Sequence, residues 1–135
     1  MQILDHNQIL QKVKRLSYQI AERNLNEKTI AILGINKNGL RFAKMVVSEL
    51  SAILPDTKFF LSNISLNPAD PVSDPITVSA DIDQLRDKSI IIIDDVANTG
   101  RTLYFALQPL MVMVPKCIDV AVLINREHKS FYVIT

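Results

Sequence analysis

The chain has 135 residues, 48% of them hydrophobic, and 15 Lys and Arg stand against 14 Asp and Glu for a net charge of +1. That content excludes intrinsic disorder, the length predicts one domain over residues 1–135 with a single core, and the charge gives no global basic signal for nucleic acid. No apolar stretch reaches the roughly 18 residues that span a bilayer, the N-terminus lacks the build of a signal peptide, and Cys117 is the one cysteine, so a cytoplasmic protein with no disulfide and no membrane contact is expected.

Asp5 followed by Gln8 predicts a capping box with Asp as the cap. Ile9, Val13, Leu16 and Ile20 then recur at helical spacing, which predicts an amphipathic helix over residues 6–24. Lys12, Lys14, Arg15, Glu22 and Arg23 occupy its opposite face, as a solvated surface or as one that meets a partner or RNA. Residues 29–35 read as a short buried strand, followed by the turn Gly34-Ile35-Asn36-Lys37-Asn38-Gly39 and a helix over 40–50. A second strand is expected over 58–64. Residues 65–75 carry three prolines and no helical period, which predicts a mobile loop before a short strand over 76–80.

The most informative stretch comes next. Four isoleucines, Ile90 to Ile93, lead into Asp94 and Asp95, and the turn Val96-Ala97-Asn98-Thr99-Gly100-Arg101-Thr102 opens a new apolar helical pattern. An unbroken β-branched run is the pattern of a strand buried on both faces in a parallel sheet, here over residues 89–94. Two carboxylates at its end are too costly to bury for packing alone. The turn offers backbone N–H groups, hydroxyls and one glycine at a helix start, the chemistry that cradles a phosphate. Carboxylates for sugar hydroxyls beside a phosphate cradle imply a site for a phosphorylated sugar. A helix over 100–113, kinked or ended by Pro109, and a buried strand over 118–124 complete the pattern. Strands alternating with helices predict an α/β fold with a mainly parallel sheet.

The chain's three glycines, Gly34, Gly39 and Gly100, all fall in the two strand-to-helix turns, where parallel α/β folds bind ligands. A dinucleotide fingerprint is absent, and Leu40-Arg41 stand where a P-loop needs Lys followed by Ser or Thr.

Residues 90–102, an apolar strand, two acids and Thr-Gly-Arg-Thr, resemble the binding motif for phosphoribosyl diphosphate (PRPP) in type I phosphoribosyltransferases. Ile3-Leu4-Asp5 at a helix start, the Gly34-Ile35 turn and the ending Ala121-Val122-Leu123-Ile124-Asn125-Arg126-Glu127-His128 are similar to the pyrimidine-operon attenuation regulators that double as uracil phosphoribosyltransferases. The resemblance implies that sheet with flanking helices and a flexible hood at residues 65–75. It implies Asp94 and Asp95 as the catalytic pair, accepting hydrogen bonds from the ribose hydroxyls. Ala97, Asn98, Thr99, Gly100, Arg101 and Thr102 would hold the 5′-phosphate, although Arg101 could equally project to solvent. Asn36, Lys37, Asn38 and Gly39 would receive the diphosphate, in a loop that in relatives is often strained or cis. Magnesium (Mg2+) is the implied cofactor, held mainly by PRPP and water with no direct protein ligand. The implied partners are PRPP and a nucleobase, with RNA as a further one and a homodimer whose interface could use apolar positions of the helix over 40–50.

Three departures bear on function. Asn98 stands where purine-salvage members usually carry an aspartate, and an amide is no general base at neutral pH, which favours uracil over a purine. Residues 62–80 contain no Lys, Arg or Tyr to touch the diphosphate, and an arginine expected in the diphosphate turn is Asn38. The sequence stops at Thr135, whereas such relatives continue through a further segment that contributes to the base pocket. A reduced pocket or a shortened chain is therefore expected. His128 and Lys129 could line the base or RNA side of the site or serve the surface. Two functions follow as expectations: transfer of the phosphoribosyl group from PRPP to a base, or a PRPP- or nucleotide-binding regulator of transcription or RNA with little turnover.

Overall fold

The structure, a computed structural model, describes residues 5–97 and 100–125. Helix α1 (His6–Arg23) opens on the expected capping box: Asp5 accepts from the Gln8 backbone N–H, and the Gln8 side chain accepts from that of Asp5. Then come β1 (Thr29–Ile35), α2 (Asn36–Ile53), β2 (Lys58–Ser65), β3 (Thr77–Val78), β4 (Ser89–Ala97), α3 (Arg101–Ala106) and β5 (Cys117–Asn125). The sheet runs β3-β2-β1-β4-β5. Its four longer strands are parallel, and β3 pairs antiparallel with β2. This is the α/β architecture that the alternating pattern predicts.

Alternation along the central strands divides the core in two. Leu33, Ile35, Ile90 and Ile92 face the layer with Leu103, Ala106 and Leu110. Ile30, Ile32, Ile91 and Ile93 face the other, under Val13 and Ile20 of α1 and Ala43, Val46 and Leu50 of α2. Each isoleucine of the β4 run is at most 1% exposed, and burying one such side chain is worth about 1.5–3 kcal/mol. The apolar run is continuous because both faces are covered.

Asn24 caps the C-terminus of α1 and is buried, its amide donating to Ile20 O at 2.8 Å and its oxygen accepting from Ser89 Oγ at 2.6 Å. Two residues of the charged face of α1 reach β5: Lys12 Nζ donates to Leu123 O at 3.0 Å, and Arg23 pairs with Asp119 at 2.9 Å. That face is therefore partly a packing face rather than wholly a solvated one.

Several expectations are corrected. Helix α2 begins at Asn36, inside the stretch read as a turn, so Gly39 lies in its first turn. β4 continues through Asp94 and Asp95 to Ala97, and β3 is two residues long. Helix α3 ends at Ala106; Pro109 sits in a separate 3₁₀ turn, Gln108–Leu110, because proline has no N–H to continue an α-helix. The apolar residues of α2 do not form an exposed face: Ala43, Val46 and Leu50 are buried, Phe42, Met45 and Val47 are half-buried against the core, and Leu40 is half-buried. Tyr104 is exposed, with its ring edge-on to Phe105.

Candidate functional site

Two glycines set the site by what they lack. A Cβ on Gly34 would lie 2.4 Å from the Leu40 backbone, and one on Gly39 would lie 2.6 Å from Ile93 O. Without them the first turn of α2 rests directly on the ends of β1 and β4. That contact brings Asn36, Lys37 and Asn38 beside Asp94 and Asp95 around a cleft of about 610 Å³. Thr102 of α3 lines the same cleft, as do Ile35, Val96 and Pro68 of the loop after β2.

The two carboxylates differ. Asp94 is 6% exposed and accepts from the Asp95 backbone N–H at 2.9 Å. Asp95 is half-buried, accepts from the Val96 N–H at 2.9 Å and takes a longer bond from Asn38 Nδ2 at 3.3 Å. Burial, and then the adjacent Asp95 carboxyl, push the Asp94 carboxyl up to about 7. A carboxylate that disfavoured would be stabilised by further hydrogen-bond donors or by positive charge.

The α2 side carries its own strain. Asn36 sits at φ 56°, in the left-handed region, and among the described residues no peptide is cis. Its Oδ1 accepts from the Leu66 N–H at 3.0 Å, joining the helix start to the loop after β2. That loop is braced internally: Asn67 Nδ2 donates to Asp74 at 2.8 Å, and the Ala69 and Ser73 N–H groups donate to Asn67 and Asp70. Gly100, at φ 81°, starts α3, with Arg101 exposed beside it. Ala97 closes β4 in register with Asn125. Asn98, Thr99, His128 and Lys129 lie outside the described residues.

The structure thus gathers Asn36, Lys37, Asn38, Asp94, Asp95 and Thr102, while Gly39 packs against Ile93 instead of lining the cleft. Sequence reasoning missed Pro68 and the support given by Asn63, whose only signal is a polar Ser62-Asn63 pair near the end of an apolar strand. No three His, Cys, Asp or Glu side chains cluster as a metal-binding set among the described residues. A magnesium ion that brings most of its ligands with it needs no such set, and the negative charge of Asp94 and Asp95 suits one held nearby without a direct bond to them. A second groove, about 660 Å³ between α1 and β5, is lined by Lys12, Glu22, Arg23 and Asp119, with Asp119 paired to Arg23. Among the described residues no helix is long and apolar enough to cross a membrane.

The family model for the phosphoribosyl transferase domain matches residues 1–133. The chain belongs to the type I phosphoribosyltransferase family. Within that family it is similar to the bifunctional protein PyrR of Caldicellulosiruptor bescii, 34% identical over 96% of this chain and 74% of the relative. The PyrR of Haemophilus ducreyi is 33% identical over 95% of this chain and 75% of its own. Two crystal structures of a hypoxanthine-guanine phosphoribosyltransferase from Bacillus anthracis superpose with TM-scores of 0.76 and 0.78 at 21% and 20% identity. They cover 98% and 99% of this chain and 75% and 76% of theirs, a likeness of fold. The second holds a HEPES molecule in its active site.

Proposed function

We propose that this chain transfers the 5-phosphoribosyl group of PRPP to a nucleobase, uracil first, and releases diphosphate. The observation that carries the reading is the cleft in which buried Asp94 and half-buried Asp95, near the end of β4, meet the first turn of α2. Asp94 and Asp95 accept hydrogen bonds from the ribose 2′- and 3′-hydroxyls and stabilise positive charge that develops on the sugar. The 5′-phosphate lies on the turn from Ala97 through Asn98, Thr99, Gly100 and Arg101 to Thr102. The diphosphate lies at the start of α2, where the N–H groups of the first turn, Asn36, Lys37, Asn38 and the Gly39 backbone favour an anion.

In the transfer a base nitrogen forms a bond to C1 of the ribose as the C1–O bond to diphosphate breaks, and the base nitrogen gives up its proton to the leaving diphosphate or to water. The loop after β2, with Pro68 already at the cleft, limits water that would compete as nucleophile. A magnesium ion arriving with the donor would supply neutralising charge to the leaving diphosphate. Asp94 and Asp95 would hold it indirectly, through the hydroxyls that they orient. The likeness of both chain ends to pyrimidine-operon regulators supports uracil as acceptor.

A second reading is a PRPP- or nucleotide-binding regulator on the same fold, acting on transcription or RNA with little turnover. It is favoured by Asn38 at the diphosphate end and by the lack of Lys, Arg or Tyr over residues 62–80. Diphosphate release from magnesium–PRPP, assayed separately with uracil, orotate, hypoxanthine, guanine and adenine, decides between them. Release that depends on one base supports transfer and names the acceptor. No release from folded protein with any base selects the regulator.

A further inference from the structure

Asn63 lies on β2 opposite Gly34 in register, outside the cleft. Its amide nitrogen donates twice, to Gly34 O at 2.8 Å and to Asn36 O at 3.0 Å. Its amide oxygen accepts from Ser65 Oγ at 2.9 Å. The backbone on either side is fixed too, with Asn63 N–H donating to Ser79 Oγ at 3.0 Å and Ser79 N–H donating to Asn63 O at 2.9 Å. One side chain on the neighbouring strand thus grips both carbonyls that flank Ile35, at the point where β1 turns into α2.

The chemistry of an anion site gives that grip a purpose. Carbonyl oxygens repel a phosphate and N–H groups attract one, so a turn that receives an anion must send its carbonyls elsewhere. Asn63 draws the Gly34 and Asn36 oxygens toward β2, and Asn36 is held at φ 56°. A left-handed non-glycine residue persists only where its surroundings over-determine it. Here they do: Asn63 fixes the Asn36 carbonyl from one side, and Leu66 N–H fixes its side chain from the other.

We propose that Asn63 is a positioning residue for the cleft, whose amide turns the Gly34 and Asn36 carbonyls away so that the start of α2 accepts the diphosphate end of a phosphoribosyl donor. The inference rests on the reading of the cleft given above. It adds a residue that touches no ligand and acts through the turn.

The test compares two ligands by titration calorimetry in the presence of magnesium: PRPP, which carries the diphosphate, and ribose 5-phosphate, which does not. In Asn63→Ala, PRPP affinity is expected to fall at least about tenfold while ribose 5-phosphate affinity changes less than about twofold. Asn63→Leu, which keeps much of the volume and removes both donors, should behave alike and serves if the alanine variant does not fold. Equal loss of both ligands, or unchanged PRPP affinity in a folded variant, overturns the positioning role alone. A wild-type protein that binds neither ligand overturns the reading of the cleft and this inference with it.

Discussion

Asn38 Nδ2 donates to Asp95 Oδ2 at 3.3 Å, so the first turn of α2 and the end of β4 are joined across the cleft by an amide rather than a cation. Asn38→Arg places a permanent charge there. PRPP should then bind about tenfold more tightly, since charge-assisted hydrogen bonds to phosphate are the strong ones. The gain should shrink as salt screens it. Calorimetry at low and high salt measures both, and an unchanged affinity would show that this turn does not meet the diphosphate.

Asp94 links the site to stability. Its carboxyl, pushed up to about 7 in the fold against about 3.9 in an unfolded chain, binds more protons folded than unfolded between those values. Stability therefore falls as pH rises from about 4 to about 7, and the penalty is complete above that. Asp94→Asn removes the buried charge and should be more stable than wild type at pH 8 by on the order of 1–3 kcal/mol. The advantage should narrow toward pH 5. Urea unfolding across this range measures it, and a variant less stable than wild type at pH 8 would contradict the burial argument.

Residues that do one job were readable in the sequence, and those that do two were not. Ile90 to Ile93 announce a strand covered on both faces because β-branched side chains there serve packing only. Asp94 and Asp95 stood out because packing cannot account for them. Asn36, Lys37 and Asn38 read as a turn because polar residues between two glycines carry no helical period, yet they form the first turn of α2. Direct contact of that turn with the strand ends, which no local pattern records, decides their conformation. Asn63 was invisible for a related reason: its partners lie 29 and 27 residues earlier in the chain.

The same contact predicts a cost for small substitutions. Gly39→Ala sets a methyl 2.6 Å from Ile93 O, and Gly34→Ala sets one 2.4 Å from the Leu40 backbone. Either change must push α2 off the sheet, at about 1–3 kcal/mol or more. Because α2 carries Asn36, Lys37 and Asn38, PRPP binding should weaken together with thermal stability. Variants as stable as wild type would show that the helix start has room to move.

Ser89→Ala separates stability from the site. It strips the Asn24 side-chain oxygen of its buried donor, which costs about 1–3 kcal/mol. Ser89 does not line the cleft, so PRPP affinity should be unchanged. Denaturant unfolding and calorimetry on the same preparation check the two halves together.

The most direct test is titration of magnesium–PRPP into the wild-type protein and into the double variant Asp94→Asn, Asp95→Asn, with circular dichroism on both to show that they are folded. Saturable binding by wild type and a loss of at least about a hundredfold in the folded double variant are predicted, because each charged acceptor is worth ~1.5–3 kcal/mol to its hydrogen-bonded partner. Equal affinity in the two proteins, or no binding by wild type, would contradict the assignment of this cleft to a phosphoribosyl donor.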